Sequence, residues 1–442
     1  MTDLSTTIAG LKMRTPFGVS SLSALNWWYP AGPMQKWVDW HKRCVDAEAG
    51  FVYLPSVFPA MRDEEPVRKN HLSNYFPIGN DGFLLSCGNA VQIAREPCRR
   101  LTEALKKALP AEIPIVSSLV NPTGDPETYI ELAKEMESDG ADMLEINGGC
   151  PSELMDNPDG KPEAGAKYGR FLGTSVSAFK EIVKATVESV KIPVGVKMTP
   201  QAGYPGMMVA AEAVINAGAK YILTSHMPLA FGPFDIWNGG KPLYPLLKHV
   251  EANPVSVYGG GETIRIINHY YTASTAMFFP SVDVWSGGGI ATGQHLVESI
   301  MLGAKAGQAA GGVMLHGISQ IKRIVKFLEK YMVRCGYKTI EDFRGLALNY
   351  VKPFDDALVN EAGSIAIAAQ VDESKCIGCR TCADSICPAI SMEADVAQVN
   401  QDDCCACGLC LVICPQGAIS MVPSKQTLGE RIAMGKDYTN LS

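Results

Sequence analysis

The chain has 442 residues, 47% of them hydrophobic and 19% charged, with a formal net charge of −7, which fits a globular enzyme of more than one core. The acidic balance argues against nucleic-acid binding, which wants a basic face, and no apolar run reaches the roughly 18–20 residues of a membrane span. The start, MTDLSTTIAGLK, lacks the charged-then-apolar pattern of a signal peptide, so a cytoplasmic protein is expected, in which clustered cysteines serve as metal ligands rather than disulfides.

In chain order, the candidate strands are FGVSS (17–21), FVYLP (51–55), IPIVSSL (113–119), DMLEIN (142–147), PVGVKM (193–198), YILTS (221–225), VDVWSG (282–287) and AGQAAG (306–311). Helix-like stretches separate them. In DPETYIELAKEMESDG, Asp125 reads as an N-cap, Pro126 as the first helical residue, Ile130, Ala133 and Met136 as the apolar stripe, and Gly140 as the stop. Strands alternating with helices predict a parallel (β/α)8 TIM barrel over residues 1–368. Polar residues gather where these strands end: Ser20, Ser21, Ser117, Ser118, Asn147, Lys197 and Thr224 to His226. In such a barrel those ends form the face that carries the active site.

Three glycine runs, YGGGETIR (258–265), SGGGI (286–290) and AAGG (309–312), fall around and after the last strands. Loops there commonly hold a phosphate on backbone N–H groups, so a phosphate-bearing cofactor is expected. The segment EINGGCP (145–151) places Asn147 and Cys150 where a strand gives way to a loop. From its residues alone Cys150 is open to reading as a ligand, a nucleophile, a proton donor or a packing residue. Cys44, Cys87, Cys98 and Cys335 read as packing residues.

Nine of the 14 cysteines fall within Cys376–Cys414. One run is CIGCRTCADSICP, with Cys376, Cys379, Cys382 and Cys387; the other is CCACGLCLVICP, with Cys404, Cys407, Cys410 and Cys414. This is the two-cluster bacterial ferredoxin pattern, in which the fourth cysteine of each run ligates the other cluster. Cys376, Cys379, Cys382 and Cys414 are therefore expected to hold one 4Fe–4S centre, and Cys404, Cys407, Cys410 and Cys387 the second. A pair of zinc knuckles also uses Cys-x2-Cys spacing, but two runs of four that both end in Cys-Pro weigh against it. The first run departs from the pattern by one extra residue between Cys382 and Cys387. Residues 369–442 are thus expected to form a small bacterial-ferredoxin-like α+β domain. A barrel with a phosphate site, joined to one-electron carriers, calls for a flavin, and FMN is the flavin with a single terminal phosphate.

On these motifs the sequence resembles the dihydroorotate dehydrogenase-like FMN barrels, and among them the dihydropyrimidine dehydrogenases whose catalytic chain carries a barrel followed by a two-cluster ferredoxin. The likeness runs over most of the chain: TPFGVSS (15–21) is similar to the family's first-strand motif, EINGGCP to its Asn-x-x-Cys-Pro segment, GVKMTP (195–200) to its lysine strand, and GGGETIR and SGGGI to its phosphate loops. The resemblance implies that Ser20 and Ser21 approach the flavin and that Lys197 faces its N1/O2 region. It implies that Gly261, Gly288, Gly289, Ala310 and Gly311 bind the phosphate. It implies that Cys150 passes a proton to or from the substrate while flavin N5 exchanges a hydride, with Asn147 offering a donor and an acceptor to an amide-like edge. The loop from Pro151 to Leu172 is expected to close over the site.

The substrate side departs from the pyrimidine pattern. Asn-Gly-Gly-Cys stands for Asn-Leu-Ser-Cys, Thr224-Ser225-His226-Met227 stands for a Thr-Asn-Thr segment, and Pro55 stands in line with a lysine. Ser225, His226 and Asn121 are the remaining candidate substrate contacts. The expected reaction is two-electron reduction or oxidation of an activated C=C bond in a ring, uracil or thymine first and another heterocyclic or aromatic-derived ring second; a dihydroorotate dehydrogenase activity is the alternative within the family. No segment reads as a strand–GxGxxG–helix nicotinamide site. Electrons are expected from a separate FAD- and NAD(P)-binding flavoprotein or a soluble ferredoxin, and the resemblance implies a homodimer or heterotetramer.

Overall fold

Each of the eight expected strand segments contains a strand: β1 Phe17–Val19, β2 Val52–Tyr53, β3 Ile115–Leu119, β4 Met143–Asn147, β5 Val194–Lys197, β6 Tyr221–Leu223, β7 Asp283–Gly287 and β8 Ala306–Ala309. They pair in parallel, β1 with β2 and onward to β8, and β8 pairs with β1, so the sheet closes. Every residue of β3 to β6 is buried, as strands covered on both faces must be. The cover is a ring of helices: α1 Met34–Asp46, α2 Arg95–Ala108, α3 Pro126–Ser138, α4 Val176–Ser189, α5 Gly206–Asn216, α6 Arg265–Phe278, α7 Gly293–Met301 and α8 Ser319–Cys335. This computed structural model describes residues 2–22, 34–59, 74–80, 82–86, 92–121, 124–150, 171–224, 227–243, 257–351 and 364–434.

Helix α3 begins as its sequence predicts. The Asp125 carboxylate accepts the Thr128 N–H at 3.0 Å, and Pro126 occupies the first helical position, where a missing N–H costs nothing. Its buried stripe is Tyr129, Leu132, Ala133 and Met136; Ile130, expected on that stripe, lies half-buried at its margin.

The lower barrel interior is a plug of aromatic rings. Phe51 and Tyr53 meet Trp285 edge-on at 4.5 and 5.4 Å between centroids, and Tyr221 lies at 5.6 Å. Such pairs add about 0.5–1.5 kcal/mol each beyond their buried area. Small residues opposite make the room: a Cβ on Gly195 would lie 2.4 Å from the Tyr221 ring, and one on Gly18 2.7 Å from the Phe51 ring. Below the rings, the hairpin of Thr6–Ile8 and Leu11–Met13 inserts Ile8 and Met13 into the same cluster. Its turn is fastened by Ala9 N–H donating to Asp283 Oδ2 at 2.7 Å.

The sequence did not announce a further sheet. Leu229–Ala230, Val257–Gly261, Gly82–Ser86 and Asn74–Ile78 form a four-stranded antiparallel sheet built from insertions. It carries Phe83 and Gly261 to the catalytic face.

The chain divides into Met1–Pro353 and Phe354–Ser442. The expected boundary between residues 368 and 369 falls inside a strand, β9 Ile367–Val371, which pairs antiparallel with β12 Ile419–Pro423. The cysteine-rich composition begins after the fold of this unit has already begun, which is why composition placed the boundary late. The unit also holds the hairpin of β10 Ile390–Glu393 and β11 Val396–Val399, and the helices α9 Leu409–Ile413 and α10 Leu428–Met434. Among the described residues no helix is long and apolar enough to cross a membrane.

Trp285→Ala empties the centre of the plug. It is expected to cost about 3–5 kcal/mol, read as a lower urea midpoint for the barrel unit.

Candidate active site

A cleft opens at the C-terminal ends of the barrel strands, the face on which such barrels carry their sites. Ser20 and Ser21 line it beyond β1, Asn147 and Cys150 beyond β4, and Lys197 at the end of β5. Gly261, Gly288, Gly289, Ala310 and Gly311 line the same cleft. Ten of the residues singled out in the sequence are therefore brought together. Asn121 is not: it is absent from the lining, its N–H donates to the Tyr129 hydroxyl at 3.1 Å and its amide to Asp125 O at 3.3 Å. These bonds tie it to the approach to α3. Ser225 and His226 lie outside the described residues, as do 151–170 of the expected closing loop.

The glycine loops have the conformation a close-fitting anion cradle needs. Gly288 and Gly289 have φ of +101° and +81°, a region costly for any side chain. A Cβ on Gly289 would also stand 2.6 Å from Arg265 Cα. Elsewhere in the cleft the Gln308 side chain is buried, and its Oε1 accepts no hydrogen bond among the described residues. An acceptor left open inside a cleft wants a donor from a ligand, and the ring N3–H of a flavin is such a donor. Glycine loops with no room for a side chain and an unfilled acceptor in one cleft thus fit a flavin. Gln308, Ser56 and Phe83 also line the cleft and were missed in the sequence. Ser56 follows the proline that drew attention instead, and Phe83 arrives on an insertion.

Cys150 is held by the residue three before it. Asn147 Oδ1 accepts the N–H groups of Gly149 and Cys150 at 3.0 and 3.1 Å, while its Nδ2 donates to Cys150 Sγ at 3.2 Å and to Ser56 Oγ at 3.3 Å. The carboxamide expected to offer itself wholly to substrate is thus already engaged in shaping the loop. Gly148 is required by packing: a Cβ there would meet Lys197 O and the Phe179 ring, both at 2.8 Å. Loss of the bulkier residue of the family pattern leaves no extra room, because Phe179 occupies it.

Burial pushes the Cys150 thiol above its ordinary range; the Lys197 ammonium and the Asn147 N–H pull it down, and Glu145 adds to the rise. The net direction keeps the thiol protonated near neutrality, the state of a proton donor. Cys44 and Cys98 are buried as expected of packing residues, Cys335 is exposed and does not pack, and Cys87 lies outside the described residues.

In the second unit, Cys376, Cys379, Cys382 and Cys414 surround one pocket, the crossed set expected from spacing. Cys410 lies within electrostatic reach of Cys387, Cys404 and Cys407, the other crossed set. Backbone N–H groups of Ala397, Ala418 and Ala369 donate to the sulfurs of Cys376, Cys414 and Cys404 at 3.5, 3.3 and 3.4 Å, bonds of the kind that tune cluster potentials. The extra residue before Cys387 is absorbed in a turn: Ser385 Oγ donates to Cys382 O at 2.7 Å and accepts the Cys387 N–H at 3.3 Å. Cys405 is exposed.

Two family models match parts of the chain: dihydrouridine synthase (Dus) over residues 97–226 and the 4Fe-4S binding domain over residues 397–420. The NAD-dependent dihydropyrimidine dehydrogenase subunit PreA of Escherichia coli is 25% identical, with 97% of this chain and 98% of the relative covered. The chloroplastic dihydropyrimidine dehydrogenase (NADP(+)) of Arabidopsis thaliana is 25% identical over 82% of this chain and 81% of its own. A putative dihydroorotate dehydrogenase A (fumarate) of Aeropyrum pernix is 25% identical over 78% of this chain and 97% of its own. Its cover of this chain is smaller than the E. coli subunit's.

Two outcomes follow from the geometry. Gly289→Ala is expected to cut flavin retained per chain severely while iron content holds, read from flavin absorbance and iron assay on one preparation. Cys414→Ser should lose iron and one cluster's low-temperature electron paramagnetic signal while flavin content is kept.

The chain thus joins a barrel similar to those of dihydrouridine synthases and dihydroorotate dehydrogenases to a 4Fe–4S ferredoxin region, and the relatives it resembles over most of its length are oxidoreductases acting on CH–CH groups.

Proposed function

We propose that the chain binds FMN and two 4Fe–4S clusters and interconverts an activated ring C=C bond with its dihydro form, the ring being a pyrimidine such as uracil or thymine. The observation that carries this reading is that Cys150, Asn147 and Lys197 share one cleft with the glycine loops. Bound FMN supplies hydride exchange at N5 and the conversion between one-electron and two-electron carriers.

The protein's own part follows from the cleft. Gly261, Gly288, Gly289, Ala310 and Gly311 would hold the phosphate on backbone N–H groups, and Ser20 and Ser21, just beyond β1, would support the ring system. Lys197 would stand by the N1/O2 edge, where an ammonium stabilises negative charge. Cys150 gives its proton to the substrate carbon in reduction and takes one back in oxidation. Asn147 keeps the thiol at its station.

The clusters are the entry for electrons, and the donor is a separate nucleotide-binding flavoprotein subunit or a soluble ferredoxin. The full-length likeness to a chain named as an NAD-dependent dehydrogenase subunit supports the separate subunit. A dihydroorotate dehydrogenase activity is disfavoured because the ferredoxin region is part of this chain.

Cys150→Ala is expected to lower turnover about 100-fold or more with flavin content unchanged; turnover equal to the parent's would remove Cys150 from the reaction. Because burial raises the thiol's pKa, the reducing direction runs fully below that pKa and fades as pH rises through it. The oxidising direction, which needs thiolate, rises over the same window. The substrate is tested anaerobically: dihydrouracil or dihydrothymine added to oxidised protein should bleach the flavin. No bleaching by either would reject the pyrimidine and leave the cleft chemistry to another ring.

A further inference from the structure

Beneath the cleft, between the aromatic plug and the cofactor, lies a carboxylate that the chemistry above does not use. Glu145 on β4 is fully buried in the barrel interior. Tyr53 OH donates to its Oε2 at 2.9 Å and Ser118 Oγ donates to its Oε1 at 3.0 Å. Ser118 Oγ lies 3.0 Å from Ser56 Oγ, which accepts Asn147 Nδ2 at 3.3 Å, and the same Nδ2 donates to Cys150 Sγ at 3.2 Å. An unbroken run of hydrogen bonds therefore joins Glu145 to Cys150.

The run has a direction. Asn147 Oδ1 is occupied by the Gly149 and Cys150 N–H groups, so its NH2 must face Ser56 and the thiol. Ser56, having accepted, passes its own hydrogen to Ser118, and Ser118 passes its hydrogen to Glu145. From Asn147 onward every donor points toward the carboxylate, which when ionised only accepts, while the other Asn147 N–H points the opposite way, to Cys150 Sγ. A neutral apolar residue at position 145 would pack the barrel at less cost, because a buried charge carries a desolvation penalty of several kcal/mol. The other polar and charged groups facing Glu145 are Lys197 on β5 and Tyr221 on β6, and those facing Cys150 are Lys197, Asn147 and Tyr129.

We propose that Glu145 is a positioning residue for the reaction: its carboxylate is the terminal acceptor that fixes the Asn147 carboxamide, and with it the Cys150 thiol, through Ser118 and Ser56. The carboxylate sets two things at once. It orders the hydroxyls so that Ser56 keeps an acceptor toward the Asn147 NH2, whose facing is set by the Gly149 and Cys150 N–H groups, and in its ionised form, which burial disfavours, its charge opposes the thiolate that the Lys197 ammonium favours. Glu145 and Lys197 are thus opposed hands on one proton. The assignment rests on Cys150 as the proton-transferring group.

The test uses flavin-loaded holoenzyme, and its labelling arm does not need the substrate. Iodoacetamide labelling of Cys150, followed across pH by peptide mass spectrometry, reads the thiol directly. In Glu145→Gln, which keeps the side-chain shape and removes the charge, labelling at neutral pH should be several-fold faster and the curve displaced to lower pH. Ser118→Ala leaves the charge and cuts the run; it should lower kcat with KM and the flavin spectrum held. A Glu145→Gln labelling curve that superimposes on the parent's, in protein of full flavin content, overturns the proposal. Should that variant lose its flavin, Ser118→Ala decides alone, and parent kcat there overturns it. Labelling also separates this idea from the proton-donor reading: Cys150→Ala with full turnover would sink the latter, whereas a displaced labelling curve would still assign Glu145 its hold on the thiol.

Discussion

The parallel pairing of β4 with β5 is the constraint on which the site depends. Its register sets Asn147 opposite Lys197 and Glu145 opposite Gly195. In a strand, alternate residues face opposite sides, so a slip of one position would turn Glu145 and Asn147 into the helix layer and bring Leu144 and Ile146 inward. Closure of the sheet between β3 and β4 removes that freedom, since each strand is then fixed from both edges. Gly148 N–H donating to Lys197 O at 2.9 Å carries the same register one step into the loop. Cys150 thereby inherits its position from the sheet.

The barrel interior is divided along its axis. The lower part is rings and aliphatic side chains around Trp285, with Ile8 and Met13 closing the end. The upper part is polar: Glu145, Ser118, Ser56, Asn147 and Lys197. Tyr53 and Tyr221 stand at the division, rings in the plug and hydroxyls bonded to Glu145 Oε2 and Leu144 O respectively. Their two-sided character lets an apolar plug support a charged layer with no phenol left unpaired.

Much of this was legible in the sequence because it is written locally. The eight strands lie inside short apolar runs, the α3 cap is Asp-Pro followed by Glu, and the crossed cysteine sets follow from spacing alone. What stayed hidden depends on distant segments. Ser56, Ser118 and Glu145 belong to three different strands or loops and meet only because the barrel closes. Gln308 looked like a strand residue among alanines, and its open acceptor is visible only against the neighbours it lacks. The insertion sheet is assembled from pieces as far apart as Asn74 and Gly261, each too short to declare itself. The bonds of Asn121 to the Asp125 carbonyl and the Tyr129 hydroxyl are likewise invisible until α3 is in place. The domain boundary was drawn by composition, and β9 has none of the cysteines that mark its unit.

The buried cluster of the ferredoxin unit is Ala368, Ala369, Ala389, Ala397, Ile390, Ile419 and three cysteines, with half-buried residues such as Val371, Leu411 and Met421 packed against it. So small an apolar store is meagre return for the entropy of ordering its chain. On the proposed ligation, inorganic cubes would occupy the place that a hydrophobic core fills elsewhere. Each, bound by one cysteine from the far run, would also be a stitch across the unit. Iron supply would then decide more than whether electrons flow: it would decide whether this part of the chain has a folded state to hold.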